Sequence, residues 1–222
     1  MAIKFYSGPL SLFSHKIEIA MREKRLAFDR VMVPFSQGKG YHPKHPDVLK
    51  ANPKGQVPVL IDNGLTLFDS TLILEYLEDA HPDPALYPKD AKDRARCRLV
   101  ELTADEILLP KVARLMYRTE PADPDPARQR MREEDGTRAE GEIREMYGAF
   151  EDRLKGRDYF CGAFTVADIA MFMTLLFARR LGAPSLSDHA RLDGWYGRTL
   201  ARPAVAMVAG EVAEADRVLS PA

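Results

Sequence analysis

Cysteine is scarce in this sequence: Cys97 and Cys161 are the two in 222 residues. That is too few for a disulfide framework, and neither CxxC nor zinc spacing occurs. A reducing compartment is the simplest setting. Long apolar runs are also missing; none reaches the ~18 residues of a membrane span. The opening MAIKFY has no basic stretch followed by an apolar one, so the expectation is a cytoplasmic chain with no membrane partner. Charge of one sign is absent too. The 32 Lys and Arg face 33 Asp and Glu, for a formal net charge of −1. The basic residues are dispersed, which argues against a nucleic-acid footprint. No Gly-rich phosphate loop, internal repeat or low-complexity tract is found.

What is present changes character part-way along the chain. Ile3–Tyr6 reads as a strand, and Ser14–Lys24 as a helix with Ile17, Ala20 and Met21 on one side. Phe28–Val33 alternates as a strand. PFSQGKGYHPKHP then reads as loop. Val57–Ile61 is β-branched, the DNG at Asp62–Gly64 is a hairpin signal, and Leu65–Phe68 returns. Ser70–Ala80 is helical. HPDPALYPKD, with three prolines, reads as a linker. Beyond it the periodicity predicts only helices, over 91–117, 126–154, 166–181, 191–201 and 204–219, with a kink at Pro110. The expected fold is therefore α/β plus all-α. A thioredoxin-like domain, β-α-β-α-β-β-α, covers 1–81, a linker 82–90 and a helical bundle 91–222.

Two stretches carry chemistry. In NPKGQVPVLIDNGLTLFDSTLILEYLE, Asn52–Glu78, Pro58 opens a β run. On the bare sequence a trans proline at an edge-strand start is favoured over a cis bond. A cis Val57–Pro58 bond would instead leave the Val57 backbone free to pair with an extended peptide. Asp69 or Ser70 can cap the following helix. The helix start and Ser70 hydroxyl suit a carboxylate, and Asp69 suits an amine, so the pair could hold an α-amino acid. The second stretch, SGPLSLFSHKIEIAM, holds Ser11 and Ser14 three apart, with Tyr6 just upstream.

Asn52–Glu78 resembles the glutathione-contacting segment of the cytosolic glutathione transferases, and CGAFTVADIAMF resembles a segment of their helical domain. The resemblance spans the whole chain and points to serine-type members (theta/zeta/phi-like) of bacterial aspect. It implies a cis Val57–Pro58 bond that pairs with the cysteinyl part of glutathione. Asp69 and Ser70 would hold the γ-glutamyl end, and Gln56 would add a polar contact. His42 would meet the glycyl carboxylate, with Lys44 in reserve. The pattern S-x-x-[SC]-x-[KR]-[VI] falls on Ser11–Ile17, which makes Ser11 the catalytic candidate and Ser14 the cap of the first helix. Tyr6 and Ser14 are the alternatives as thiol activators. The helical domain would supply the electrophile pocket, with Arg114, Met116 and Tyr117 as candidates. Asp105 would reach a neighbouring subunit's glutathione. Thr165-x-x-Asp168 is read as a capping box, and Trp195 and Cys161 as packing.

The implied activity is transfer of glutathione, a co-substrate, to a small apolar electrophile by a homodimer that needs no metal. Isomerase or dehalogenase chemistry lies within that class. The alternative is a non-catalytic binding or regulatory member, a ligand carrier or a stringent-starvation-protein-A-like factor. A glutaredoxin-type oxidoreductase is disfavoured, since position 11 is not cysteine.

Overall fold

The computed structural model describes residues 3–220. They divide into two units: the residues up to Leu86 together with the last helix, and Tyr87–Arg202. The first unit holds β1 (Ile3–Ser7), α1 (Leu12–Glu23), β2 (Phe28–Met32), α2 (Pro46–Ala51), β3 (Val59–Asp62), β4 (Leu65–Phe68) and α3 (Ser70–Ala80). The strand order is β2-β1-β3-β4. β1 and β2 run parallel, which requires a crossover, and α1 supplies it. β3 and β4 run antiparallel through a two-residue turn in which Asn63 and Gly64 take φ of 47° and 87°.

Register sorts the sheet into two faces. Val31, Tyr6, Val59 and Phe68 are direct neighbours across the four strands. Val33 and Val48, the latter from α2, join them in one buried cluster. Phe5 and Leu60 pair on the other face and are fully buried. α1 packs against α3 and against the last helix. Its buried charges are paired. Lys24 Nζ donates to Glu78 at 2.7 Å and to the carbonyls of His81 and Pro84. Glu18 accepts from Arg22 at 2.7 Å and Arg30 at 2.8 Å.

The second unit is helical: α4 (Ala91–Leu102), α5 (Leu109–Ala113), α6 (Pro126–Arg153), α7 (Val166–Arg180) and α8 (Ala190–Leu200). The remaining helix, α9 (Pro203–Leu219), groups with the first unit. The single helix expected over 91–117 is corrected. Thr103–Leu108 is a π-helical segment, and Met116–Thr119 is a short 3₁₀ turn. Pro110 has no N–H to donate to the carbonyl four residues back, so the ladder slips by one residue, with Leu109 N–H bonding Ala104 C=O. The Thr174 hydroxyl also donates to that carbonyl, at 3.5 Å. α7 is buried along most of its length, as its apolar sequence requires. Its Asp168 accepts from Thr165 N–H at 2.9 Å, Phe160 N–H at 3.0 Å, Trp195 Nε1–H at 2.9 Å and the Thr165 hydroxyl at 3.1 Å. Thr165 and Asp168 thus form the expected capping box.

Candidate functional site

The candidate site lies in the first unit, where the starts of α1 and α3 meet the loop before β3. A turn from Gly8 leads into α1, with Ser11 N–H bonding Gly8 C=O at 3.1 Å. Gly8 is needed for space: a Cβ there would stand 2.1 Å from Cε1 of Tyr41. Ser11 takes extended backbone angles, φ −90° and ψ 100°, and caps α1. The expectation that Ser14 is the cap is therefore corrected. The helix begins at Leu12, because Ser11 Oγ can accept the Ser14 N–H, at 3.2 Å.

Ser14 nevertheless serves Ser11. Its own hydroxyl donates to Ser11 Oγ at 2.9 Å. A serine hydroxyl has one hydrogen to give and two lone pairs that accept. At Ser11 both accepting positions are filled by Ser14. Its one hydrogen is left to donate, at a helix N-terminus where negative charge is favoured. The residue is 8% exposed. Tyr6 is differently occupied. Its hydroxyl donates to Asp47, and burial, followed by that hydrogen bond, pushes its pKa above the ordinary phenol value.

α3 starts at Ser70 and is capped by Asp69, whose Oδ1 accepts from Thr71 N–H at 3.1 Å and Leu72 N–H at 3.2 Å. Asp69 itself takes a φ of 77°, a rare conformation for a residue with a side chain, in the turn that joins β4 to α3. Ser70 is buried. Lys16 Nζ, 0% exposed, donates to Ser70 Oγ at 3.4 Å and ties the start of α1 to the start of α3. Lys16 is a site residue that sequence reasoning did not single out. It is visible only as the basic position of the Ser11–Ile17 pattern.

The Val57–Pro58 bond is cis, and the β3 ladder begins one residue later, with Val59 opposite Tyr6. The bare-sequence preference for a trans bond is overturned. The loop before it is organised by buried Asn52, also not foreseen. Asn52 Nδ2 donates to Gln56 C=O at 2.7 Å, and Oδ1 accepts from Lys54 N–H at 2.9 Å. Gly55, at φ 58°, closes the turn. Gln56 is exposed, and so are His42 and Lys44 in the preceding loop. His45 is the histidine built into the structure. It caps α2 and lies against the Tyr6 ring with centroids 4.8 Å apart.

Arg114, Met116 and Tyr117 belong to the second unit. They line a depression of about 290 Å³ together with Glu120, Arg132 and Asp135. Arg114 is engaged there. It makes a two-point contact with Asp135, at 2.8 and 3.0 Å, and donates to Glu142 at 2.8 Å. Those bonds, led by Asp135, raise its pKa. Met116 is 48% exposed, and the Tyr117 ring sits where a Cβ on Gly136 would clash, 2.7 Å away. Asp105 is buried in the π-helical segment. Among the described residues no group of His, Cys, Asp or Glu is arranged to hold a metal, and no helix is long and apolar enough to cross a membrane.

Comparison with known proteins agrees with the fold. Residues 10–80 match the family model "Glutathione S-transferase, N-terminal domain", and residues 109–203 match "Glutathione S-transferase, C-terminal domain". The chain is 39% identical over 95 residues to a stringent starvation protein A homolog of Coxiella burnetii, covering 43% of each chain. It therefore spans less than half of that relative. It is 27% identical over 202 residues to glutathione S-transferase 2 of Saccharomyces cerevisiae, covering 90% of this chain and 86% of that one. A solved glutathione S-transferase from Rhodospirillum rubrum F11 superposes with a TM-score of 0.78 at 25% identity, covering 93% and 91% of the two chains.

Proposed function

The chain belongs to the cytosolic glutathione S-transferase superfamily, and from that membership we propose that it is a serine-type transferase, which moves glutathione thiolate onto small apolar electrophiles. The observation that carries the reading is the Ser11 hydroxyl. Both of its accepting positions are filled by Ser14, so it has a hydrogen to give. A free cysteine thiol titrates near ~8.5, so little of it is thiolate at neutral pH. A hydrogen bond to a charged atom contributes roughly 1.5–3 kcal/mol. At about 1.4 kcal/mol per unit, that lowers the thiol by one to two units. Ser11 is the donor to the developing anion, and the α1 N-terminus adds a favourable field.

The rest of the first unit supplies binding and orientation. The Val57 backbone beside Pro58 pairs with the cysteinyl portion. Ser70 takes the γ-glutamyl carboxylate, and Asp69 takes the amine. Its capping bonds use Oδ1, which leaves Oδ2 as a further acceptor. His42 and Gln56 sit in exposed loop on the glycyl side of this scheme, with Lys44 as the second basic group. Arg114, Met116 and Tyr117 are the proposed electrophile contacts. The paired state of Arg114 assigns it to holding that wall rather than to meeting charge on the substrate. A cytoplasmic homodimer working without a metal completes the reading.

A second reading has its own support in the 39% identity to a stringent starvation protein A homolog: a non-catalytic binding protein on the same fold. One experiment separates them. The transferase reading predicts retention on immobilised glutathione and conjugation of an activated aryl chloride. Asp69→Ala should weaken retention, and Ser11→Ala should abolish most conjugation while retention persists. A native protein that is not retained, with Asp69→Ala no different, ends the transferase reading. Retention without conjugation leaves the binding protein. Light scattering at the mass of one 25.0 kDa chain would refute the dimer.

A further inference from the structure

Three consecutive residues of α1 hold parts of the candidate site. Ser14 bonds the Ser11 hydroxyl, and Lys16 ties α1 to Ser70. His15, between them, holds the backbone at two points. Its N–H donates to Ser11 C=O at 3.0 Å, and its ring Nε2 lies 3.1 Å from Pro9 C=O. A carbonyl only accepts, so Nε2 carries the hydrogen and the neutral ring leaves Nδ1 with a lone pair. Nδ1 has no hydrogen-bond partner, and Glu18 Oε2 stands 3.9 Å away. The residue is 1% exposed. Burial lowers its pKa, against the pull of Pro9 C=O and Glu18, so the ring is neutral at neutral pH.

The ring therefore ties the turn from Gly8 to Ser11 back onto the helix that follows it. Pro9 has no N–H of its own to give, and its carbonyl is held by a side chain from α1. Pro9 and His15 also line a cavity of about 570 Å³, bounded by Arg30, Met32 and residues of α9. A void gives no dispersion contacts, so on that side the hydrogen bond is what holds the turn.

We propose that His15 is a positioning residue: by donating to Pro9 C=O it fixes the backbone of Ser11, and with it the direction in which the Ser11 hydroxyl meets the glutathione sulfur. This role rests on the transferase reading of Ser11. Ser14 and His15 divide the work. Ser14 orients the Ser11 hydroxyl against α1, and His15 keeps Ser11 at its extended angles, φ −90° and ψ 100°. A small displacement of an aligned donor is costly in rate, although the donor itself is still present.

The test compares His15→Gln with His15→Asn in the full chain. The Gln amide nitrogen reaches as far as Nε2, whereas the Asn amide stops near Nδ1, so both bury a neutral amide and only Gln can restore the bond. In His15→Asn the bound glutathione thiol should titrate about half a unit to one unit higher than in the native protein, and conjugation should fall about 3- to 10-fold. The fall should lie in kcat, with KM for glutathione unchanged, because Val57, Asp69 and Ser70 are untouched. The Ser11 N–H should exchange faster with solvent in this variant. His15→Gln should restore all three readouts, and His15→Leu, which has no donor, should match His15→Asn. A native thiol titration in folded His15→Asn and His15→Leu overturns the role of His15 and leaves Ser11 as the donor. An equal change in His15→Gln and His15→Asn overturns it too. A native protein whose bound thiol titrates like free glutathione overturns the transferase reading itself, and the role of His15 falls with it.

Discussion

Helices α1 and α7 begin in the same way and end up with opposite chemistry. Each has a hydroxyl residue at its cap and a polar side chain three residues on: Ser11 and Ser14 for α1, Thr165 and Asp168 for α7. At α7 the second residue is a carboxylate, which only accepts. It draws in the Thr165 hydroxyl, two backbone N–H groups and the Trp195 indole, so the hydrogen of the cap hydroxyl is spent within the fold. At α1 the second residue is a hydroxyl, which donates into Ser11 and leaves the Ser11 hydrogen over. One helix start is closed upon itself, and the other is open to an anion. The choice of carboxylate or hydroxyl at a single position decides whether a cap serves folding or can serve a substrate.

The sharpest way to break this comparison is at the closed cap. Asp168→Ala orphans several buried donors at once. At about 1–3 kcal/mol for each unsatisfied group, urea unfolding should report a loss of about 4 kcal/mol, with the thiol titration of bound glutathione unchanged wherever the protein is still folded. Next in size is the open cap. Ser11→Ala should cut conjugation by about 10- to 100-fold, the rate equivalent of one to two units of thiol pKa. Losing the cap should lower stability by only about 1 kcal/mol. Ser14→Ala sharpens the contrast further. It removes one of the two bonds that orient Ser11, so conjugation should fall, but by less than for Ser11→Ala. Rates for both variants, measured against one electrophile, check the ranking. The smallest effect is expected at Arg114→Leu. Its carboxylate partners, Asp135 and Glu142, are open to solvent at 42% and 38%, so stability should change by no more than about 1 kcal/mol. The bound thiol should titrate as in the native protein.

Local chemistry made much of this readable from the chain. The Asn63–Gly64 turn follows from residues that tolerate positive φ. The helices from α6 to α9 follow from apolar spacing between Pro- and Gly-bearing breaks. Thr165 and Asp168 are readable as a box because the motif is contained within four residues. What was missed depends on partners that only the folded backbone brings together. The burial of Lys16 makes sense only once Ser70 is beside it. Asn52 becomes an organiser through the turn that carries the Gln56 carbonyl to it, and the Tyr6 hydroxyl is engaged by Asp47, 41 residues on. The cap of α1 was misassigned because two serines three apart offer the same signal, and only the backbone angles of Ser11 decide between them. The π-helical segment had a visible cause in Pro110, but a kink and a slipped ladder are equally good answers to one missing N–H.

The central claim is that Ser11 has a hydrogen to give to a sulfur anion. It is tested most directly by following thiolate absorbance of bound glutathione across pH, for the native protein and for Ser11→Gly. Glycine is an acceptable helix cap, so this variant removes the hydroxyl with little cost to the fold. The account predicts a bound thiol titrating about one to two units below free glutathione in the native protein and close to free glutathione in the variant. Identical titrations for native protein, variant and free glutathione would contradict it.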